Sequence, residues 1–222
     1  MKILFTGGGT GGHIFPIIAI TREIKRIYLT SLINKNGGIY KKIDFQFFFL
    51  GPKSELESVL LSQEGIKVKT ILAGKIRRYV NLKAIAQNLI DICIKTPIGI
   101  LQSFFYVFLL FPDLIFSKGG FGSIPGTTAG KFLFVPIFLH ESDIAPGAAN
   151  RFLSNFALEI FTSFPKTEYF SLKKIILVGN PIRKELLNGS REEAKNLFKL
   201  NSRATAKSKR RASFLPSLSR GE

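Results

Sequence analysis

The stretch KILFTGGGTGGHIFP at residues 2–16 decides the fold, because it joins an apolar strand to a helix through a loop of five glycines. Ile3–Thr6 predicts a strand that breaks at Gly7. Pro16–Leu29 predicts a helix whose proline lies in the first turn, where a missing N–H costs least. The apolar run before the loop is too short for the core of a secretory signal and is typical of a buried first strand.

Further apolar runs alternate with helical patterns along the chain. Six more strands are predicted, at Phe45–Leu50, Lys67–Leu72, Leu114–Ser117, Ile137–His140, Glu159–Thr162 and Ile175–Val178. Helices are predicted between them, at Ser54–Glu64, Leu82–Lys95, Pro97–Phe111, Ile124–Phe134 and Ala148–Phe156. Alternating strands and helices indicate a parallel sheet that is covered on both faces. The sequence therefore predicts an α/β fold: a Rossmann-like parallel sheet with helices on both faces.

Composition limits the classes of protein to which the chain can belong. Its 222 residues, 45% of them hydrophobic, can form the core of one large domain or two small ones. The single cysteine, Cys93, excludes an internal disulfide framework and fits a reducing compartment. A net charge of +17 requires an anionic partner, such as nucleic acid, acidic lipid or phosphate.

Polar and glycine-rich clusters follow three of the predicted strands, at Gly7–His13, Lys118–Ser123 and His140–Asp143. Parallel sheets bind ligands at the carboxyl ends of their strands. Glycines let backbone N–H groups approach an anion, and the N-terminus of the following helix adds its dipole. The first loop is therefore predicted to bind a phosphate or diphosphate. A tight turn that needs positive φ is the alternative, but five glycines exceed what a turn requires.

The first loop fits two generic nucleotide-binding patterns incompletely. Residues 7–12 match G-x-G-x-x-G, but a dinucleotide site also needs an acidic residue after the second strand, where residues 50–53 have none. In a P-loop, His13 would take the place of the essential lysine. His13 is either a helix-capping residue or a site residue that binds phosphate or accepts a proton. His140 also ends a strand, which predicts that both histidines share one cleft.

Residues 1–187 carry six motifs that resemble, in order, those of the MurG family of glycosyltransferases. The motifs are Gly7–Pro16; Leu50-Gly51 with Glu57 and Gly65-Ile66; the basic loop Gly74–Tyr79; Pro112-Asp113 with Gly119-Gly120-Phe121 and Pro125; His140–Asp143 with Pro146-Gly147 and Asn150-Arg151; and Gly179–Arg183. Six ordered motifs are far more specific than one glycine loop. The resemblance implies the N-terminal half of a two-domain GT-B enzyme.

The resemblance also implies an activity: transfer of N-acetylglucosamine, with inversion, from UDP-N-acetylglucosamine to lipid I, the undecaprenyl-diphosphate-linked muramyl pentapeptide. It implies no cofactor, no metal in the active site and a peripheral location on the cytoplasmic face of the plasma membrane. In this family the N-terminal domain holds the acceptor diphosphate and the membrane contact. The C-terminal domain holds most of the nucleotide.

Carried over by motif, site residues fall into three groups. Those implied for UDP-N-acetylglucosamine are Thr10, Gly11, Gly12, Asp143 and Arg183. Those implied for the acceptor diphosphate or the cleft are Gly8, Gly9, Gly120 and Asn150. His13 is the candidate catalytic base or phosphate contact, and Glu141 is a second catalytic candidate. Asp143 departs from the family pattern, because it places a carboxylate where an asparagine is usual.

A basic loop followed by an apolar stretch predicts contact with an anionic membrane. The residues expected to make this contact are Arg77, Arg78, Tyr79 and Lys83. The uncharged stretch Thr96–Pro112 is shorter than the roughly 20 residues of a membrane span. We therefore expect a helix that is buried or lies in the membrane interface. We expect burial for most of its apolar side chains, and membrane contact for exposed ones near residues 79–90.

The sequence predicts an acceptor- and membrane-binding domain at residues 1–187, a short helix or linker at 188–200 and a basic disordered tail at 201–222. No signal of the donor-binding C-terminal domain follows, so we expect no activity from this chain alone. The alternative is a non-catalytic module, from a degenerate gene, that binds lipid I or anionic membrane. Nucleic acid is not an expected partner, because only the charge favours it. A dinucleotide oxidoreductase is disfavoured by the missing acidic residue.

Overall fold

A computed structural model describes residues 1–8, 10–33, 43–75, 77, 81–165, 168–187 and 189–198. Within these residues one sheet is formed by β1 Lys2–Thr6, β2 Gln46–Gly51, β3 Lys67–Thr70, β4 Leu114–Ser117, β5 Ile137–Glu141, β6 Glu159–Thr162 and β7 Ile175–Leu177. The strand order is β3-β2-β1-β4-β5-β6-β7, and every neighbouring pair is parallel. The prediction of a Rossmann-like parallel sheet is confirmed.

Helices cover both faces of the sheet. Among the described residues they are α1 Gly11–Ile33, α2 Glu55–Gln63, α3 Leu82–Ile90, α4 Thr96–Leu110, α5 Ile124–Phe132, α6 Ala148–Leu153 and α7 Arg191–Leu197. Side chains alternate between the faces of a strand. Phe5 of β1 therefore packs with α1 and α2, whereas Leu4 packs in a second core with Val107 of α4 and Ala129 of α5.

The strand order reverses at β1, and this reversal positions the ligand-binding cleft. The chain passes from β1 outward through β2 to β3, and β4 then pairs with the other side of β1. Parallel sheets bind ligands in the crevice outside such a switch point. The loops that follow β1 and β4 therefore lie side by side at the carboxyl edge of the sheet.

The segment from α3 to α4 differs from the sequence prediction of two separate helices. One π-helical turn, Asp91–Lys95, joins α3 to α4, so that Leu82–Leu110 forms one continuous helix of 29 residues. In the described part of the chain, this is the one helix whose length and composition would suffice to cross a membrane. Its π turn lies directly before Thr96-Pro97, where the second helix was predicted to begin.

The expectation that most apolar side chains of this helix are buried is wrong. Between Thr96 and Leu110, Val107 is the one large apolar side chain that is fully buried. Gly99, Ser103 and Val107 face the protein interior. Large apolar side chains are exposed along the rest of the helix, among them Ile90, Ile92 and Leu109. Eight of them form a row on the side opposite the buried residues: Leu82, Ile85, Leu89, Ile94, Ile98, Leu101, Phe105 and Phe108. We call these eight residues the apolar stripe.

The π turn keeps the apolar stripe on one side of the helix. Its members recur every three or four residues, except for a step of five between Leu89 and Ile94. That step crosses the π turn Asp91–Lys95, where hydrogen bonds to the fifth residue place one extra residue in the turn. At 1.5 Å per residue the helix is about 43 Å long, so its exposed apolar surface extends well beyond residues 79–90.

Contacts divide the chain into a unit of residues 1–183 and a second unit of residues 184–222. In the second unit the structure describes a 3₁₀ turn at Lys184–Leu187 and helix α7, which begins after the N-cap Ser190. The predicted tail at 201–222 lies outside the described residues.

Candidate functional site

A cavity of about 570 Å³ opens at the carboxyl ends of the central strands. Its walls are the loops that follow β1, β3, β4, β5 and β7, together with the start of α6. The polar and glycine residues that line it are Thr10, Gly12, His13, Gly74, Lys75, Lys118, Gly120, Glu141, Ser142, Asp143, Gly147, Asn150 and Asn180. The three clusters that the sequence placed at strand ends therefore meet in one cleft.

Glycines at two strand ends allow the walls of the cleft to approach each other closely. Gly119 and Gly120 have φ angles of +88° and +80°, in the region that favours glycine. A Cβ atom on Gly120 would lie 2.9 Å from both the Gly8 carbonyl oxygen and His13 Nε2. A Cβ atom on Gly119 would lie 2.2 Å from Asn150 Oδ1. No side chain fits at either position without movement of the loop after β1 or of α6.

His13 lies in the first turn of α1 and lines the cleft. Its Nδ1 is 2.8 Å from Thr10 Oγ1, which fixes the orientation of the ring. Burial lowers the pKa of His13, and the nearby charge of Lys118 lowers it further. The ring is therefore neutral at physiological pH. When Nδ1–H donates to Thr10, Nε2 is left as a proton acceptor beside Gly120.

His140 does not share the cleft surface with His13, contrary to the sequence prediction. It is 1% exposed and is not among the lining residues. Its Nε2 lies 3.0 Å from the Gly179 carbonyl oxygen, to which it donates, and its buried Nδ1 has no hydrogen-bond partner within the described residues. Burial, reinforced by the charge of Lys118, lowers its pKa to about 4. His140 is a neutral residue beneath the cleft that holds the turn after β7.

Glu141 holds the turn that follows β5. Its Oε2 accepts a hydrogen bond from Asn150 Nδ2 at 2.8 Å, and its Oε1 accepts one from the Asp143 backbone N–H at 2.9 Å. Both carboxylate oxygens are thus occupied, and the residue is 6% exposed. Asn150 Oδ1 is buried and has no hydrogen-bond partner in the described part of the chain. This geometry suits positioning of the turn more than proton transfer.

The remaining candidates lie at the rim of the cleft or away from it. Asp143 is exposed and lines the rim. The guanidinium Cζ of Arg183 is 4.2 Å from the centroid of the Phe15 ring, outside the residues that line the cavity. Gly8 and Gly11 flank the loop without lining the cavity. Gly9 lies outside the described residues.

Buried Asp91 connects the cleft to the long helix. It is 2% exposed and receives hydrogen bonds from the Lys75 backbone N–H at 3.2 Å and from Arg77 at 2.9 Å. Lys95 forms an ion pair with it at 2.6 Å. Burial alone would raise the pKa of Asp91, but the hydrogen bonds from Lys95 and Arg77 outweigh burial and lower it. The loop that carries Lys75 into the cleft is therefore tied to the π turn.

Two of the four residues predicted to contact the membrane are described. Arg77 turns back onto Asp91, and 20% of its side chain is exposed. Lys83 is exposed in the first turn of α3. Arg78 and Tyr79 lie outside the described residues.

Comparison with known families shows the family of the chain. The model of the glycosyltransferase family 28 N-terminal domain matches residues 3–162. The chain belongs to glycosyltransferase family 28. The match includes both glycine-rich loops and the turn after β5, so every element that lines the cleft except the loop after β7 lies within the family domain.

Curated relatives of this family 28 chain carry the name UDP-N-acetylglucosamine–N-acetylmuramyl-(pentapeptide) pyrophosphoryl-undecaprenol N-acetylglucosamine transferase. The protein from Borrelia hermsii is 39% identical over 189 residues, which are 84% of this chain and 47% of that protein. A protein of that name, numbered 2, from Bacillus cereus is 34% identical over 193 residues, 86% of this chain and 49% of that protein. The chain spans about half the length of the curated relatives it matches.

Solved structures agree on the fold of the family 28 domain. Acinetobacter baumannii MurG superposes with a TM-score of 0.59 at 21% identity, over 83% of this chain and 46% of that chain. A UDP-GlcNAc 2-epimerase from Neisseria meningitidis, bound to UDP-GlcNAc, superposes with a TM-score of 0.53 at 16% identity, over 96% of this chain and 54% of that chain. The resemblance to MurG proteins that the six motifs indicated is confirmed.

Lys118 is a residue of the cleft that the sequence analysis did not single out. It follows β4 directly, is 4% exposed and lines the cavity. The available signal was its place at a strand end, immediately before Gly119-Gly120. The described residues hold no group of three or more His, Cys, Asp or Glu side chains arranged to bind a metal ion.

Proposed function

We propose that this chain is the acceptor-binding and membrane-docking domain of a glycosyltransferase that transfers N-acetylglucosamine from UDP-N-acetylglucosamine to lipid I. The observation that carries the proposal is the pair of glycine-rich loops, after β1 and β4, that meet in the wall of a cleft lined by His13 and Lys118. The names of the relatives support the same reaction. They do not favour a non-catalytic module, since these relatives are named as transferases.

Inverting transfer requires a base for the acceptor hydroxyl and stabilisation of the departing UDP. The acceptor oxygen forms a bond to the anomeric carbon as the bond from that carbon to the β-phosphate oxygen breaks on the opposite face. In our proposal the hydroxyl proton passes to His13 Nε2, which is available because burial lowers the pKa of this ring. Thr10 orients the imidazole through Nδ1. Glu141 positions the turn that lines the cleft.

Backbone N–H groups of the two loops and the N-terminus of α1 are proposed to bind phosphate oxygens. The residues assigned to the acceptor diphosphate or the cleft are Gly8, Gly9, Gly120 and Asn150. Those assigned to the sugar nucleotide are Thr10, Gly11, Gly12, Asp143 and Arg183. Arg183 lies beside the loop after β1, where its guanidinium stacks on the Phe15 ring.

The apolar stripe is proposed to lie in the interface of an anionic membrane, on its cytoplasmic face. Large apolar side chains that are exposed in a row are typical of an interaction surface. A membrane-spanning orientation is incompatible with this fold, because Gly99, Ser103 and Val107 pack on the protein interior. The exposed Lys83 at the start of the helix, and the net charge of +17, favour anionic headgroups. Arg77 is expected to contribute less, since Asp91 neutralises it.

The test is flotation of the 222-residue chain with anionic vesicles that contain or lack lipid I, at equal surface charge. We expect lipid I to increase binding, and Gly120→Ala to abolish that increase, because the added methyl group would meet Gly8 and His13. Gly189→Ala is the matched control, since a Cβ atom there meets nothing within 4 Å. Equal binding of wild-type protein to both kinds of vesicle would refute the acceptor-binding role.

A further inference from the structure

Backbone pairing between two strands positions Lys118 at the cleft. The Lys118 backbone N–H donates to the Thr6 carbonyl at 2.9 Å, which fixes the residue beside the loop after β1. Gly119 and Gly120 follow, so that the lysine lies at the point where the two glycine-rich loops meet. Its side chain is 4% exposed and lines the cavity.

The ammonium group of Lys118 is incompletely partnered. It has three N–H donors, and within the described residues it makes one hydrogen bond, to Ser142 Oγ at 2.5 Å. Glu141 and Asp143 are the nearby carboxylates, but in the described part of the chain neither approaches within the 4.0 Å of an ion pair. Glu141 instead accepts hydrogen bonds from Asn150 Nδ2 and from the Asp143 backbone N–H.

Lys118 is also the principal positive charge of the cleft interior. The two neighbouring histidines, His13 and His140, are neutral because burial and the charge of Lys118 lower their pKa values. A buried cation without a paired anion is costly, and such groups are retained where a ligand supplies the opposite charge. Burial lowers the pKa of Lys118 as well, and the field of Glu141 and Asp143 opposes that effect.

Ser142 and Asn180 orient the lysine before a ligand arrives. Ser142 Oγ accepts from Lys118 and donates to Asn180 Oδ1 at 3.2 Å. This chain of hydrogen bonds joins the ends of β4, β5 and β7. It leaves the remaining N–H donors of Lys118 free to point into the cavity, whose volume of about 570 Å³ accommodates two linked phosphates.

We propose that Lys118 is a diphosphate-binding residue of this cleft, donating from Nζ to the oxygens of phosphates bound in the cavity that both glycine-rich loops line. The proposal rests on the proposed function, since both of its substrates carry a diphosphate. Lys118 would recognise the same group in each substrate, namely two linked phosphates that carry negative charge. Ser142 and Asn180 are positioning residues for this cation.

The test measures binding by titration calorimetry, at fixed ionic strength, of UDP and of geranyl diphosphate, a soluble isoprenyl diphosphate. Uridine and geranyl monophosphate are the comparison ligands. Lys118→Met keeps the length of the side chain and removes the charge. Lys118→Gln is a second neutral variant, which retains a donor for Ser142. Lys131→Met is the matched control, because Lys131 is an exposed lysine in the last turn of α5.

We expect both Lys118 variants to bind diphosphates about tenfold or more weakly than wild type, the loss that accompanies removal of one charged hydrogen bond. The Lys131→Met variant should bind diphosphates as tightly as wild type does. The affinity for uridine should be the same in all variants. A loss confined to UDP assigns Lys118 to the donor, a loss confined to geranyl diphosphate assigns it to the acceptor, and a loss of both assigns it to a shared site.

Diphosphate binding by folded variants within about twofold of wild type would overturn the inference and leave the proposed function standing. Wild-type protein that binds no diphosphate would overturn both.

Discussion

The cleft and the apolar stripe depart in opposite directions from the usual distribution of residues in a soluble domain. In the cleft, groups that normally face water are buried: Lys118 is 4% exposed and Glu141 is 6% exposed. On the stripe, groups that normally face the core are exposed: Leu101 is 70% exposed and Phe108 is 66% exposed. Buried polar groups and exposed large apolar groups are the informative exceptions to burial rules. These exceptions are the basis for the two proposals made above, an anion bound by Lys118 in the cleft and lipid in contact with the stripe.

The two regions meet at Asp91. Its carboxylate binds the loop that brings Lys75 into the cleft and, through Lys95, the π turn that keeps the apolar stripe in phase. The surface that we propose docks on lipid is thereby fixed in orientation relative to the cleft that we propose receives the lipid-linked acceptor.

The largest expected effect comes from placing charge on the apolar stripe. Leu101→Lys, Phe105→Lys and Phe108→Lys together should weaken vesicle binding by about 4 kcal/mol, because the loss of three large apolar side chains from the interface outweighs the attraction of the three added lysines to anionic lipid. Flotation with anionic vesicles measures this change. Stability in urea should be nearly unaffected, since all three side chains are exposed.

Leu56→Lys is the control for that experiment. Leu56 is 70% exposed, as Leu101 is, but it lies on α2, which packs on the opposite face of the sheet. If Leu56→Lys weakened vesicle binding as much as the triple change, general hydrophobicity and not the stripe would explain the binding.

In the cleft, Gly119→Ala should destabilise the fold by about 3 kcal/mol, since a residue with positive φ would also meet the Asn150 side chain. Equilibrium unfolding in urea measures the change, with Gly189→Ala as the unstrained comparison. A variant as stable as wild type would mean that the loop after β4 relaxes, and that its glycines do not determine the closeness of the two loops.

At the junction of the two regions, Asp91→Asn should destabilise the fold by about 2 kcal/mol, because the amide leaves Arg77 and Lys95 without a counter-charge. Exchange of the backbone amide hydrogen of Lys75 should also become faster, since its acceptor is Asp91. Unchanged exchange at Lys75 in a destabilised variant would show that the cleft loop is held independently of the helix.

The most gradual effect is a pH dependence from His140. The pKa of His140 is about 4 in the folded state, below its ordinary value of 6.5, so the unfolded chain binds the proton first. The contribution of neutral His140 is therefore complete above pH 6.5, and it is lost as the pH falls from 6.5 towards 4, at a slope of about 1 kcal/mol per pH unit. His140→Gln should flatten this part of the stability curve.

His13 titrates in the same direction, so the comparison is made in a His13→Gln background. Thermal unfolding at pH values between 4 and 7 gives the slope with and without His140→Gln. Parallel curves for the two proteins would contradict the buried neutral state of His140.

Most of the fold follows from local signals in the sequence. The sequence predicted all seven strands to within two residues at each end. For the central strands β1, β2 and β4 the reason is that a strand buried on both faces is apolar at successive positions. The glycine-rich loop of residues 7–12 predicted an anion-binding cleft at a strand end, since close backbone approach depends on residue type alone. The six motifs predicted the family.

Tertiary structure alone decided what each of these residues faces. Leu101 and Val107 are equally apolar in the sequence, and only the packing of α4 on α5 buries one and exposes the other. The burial of Lys118 depends on three strand ends that converge from distant parts of the chain. The ion pair between Arg77 and Asp91 depends on a π turn that no local sequence pattern predicted. Residue types thus determined which elements form and which family they belong to, whereas contacts between elements far apart in sequence determined which charges and apolar groups lack partners.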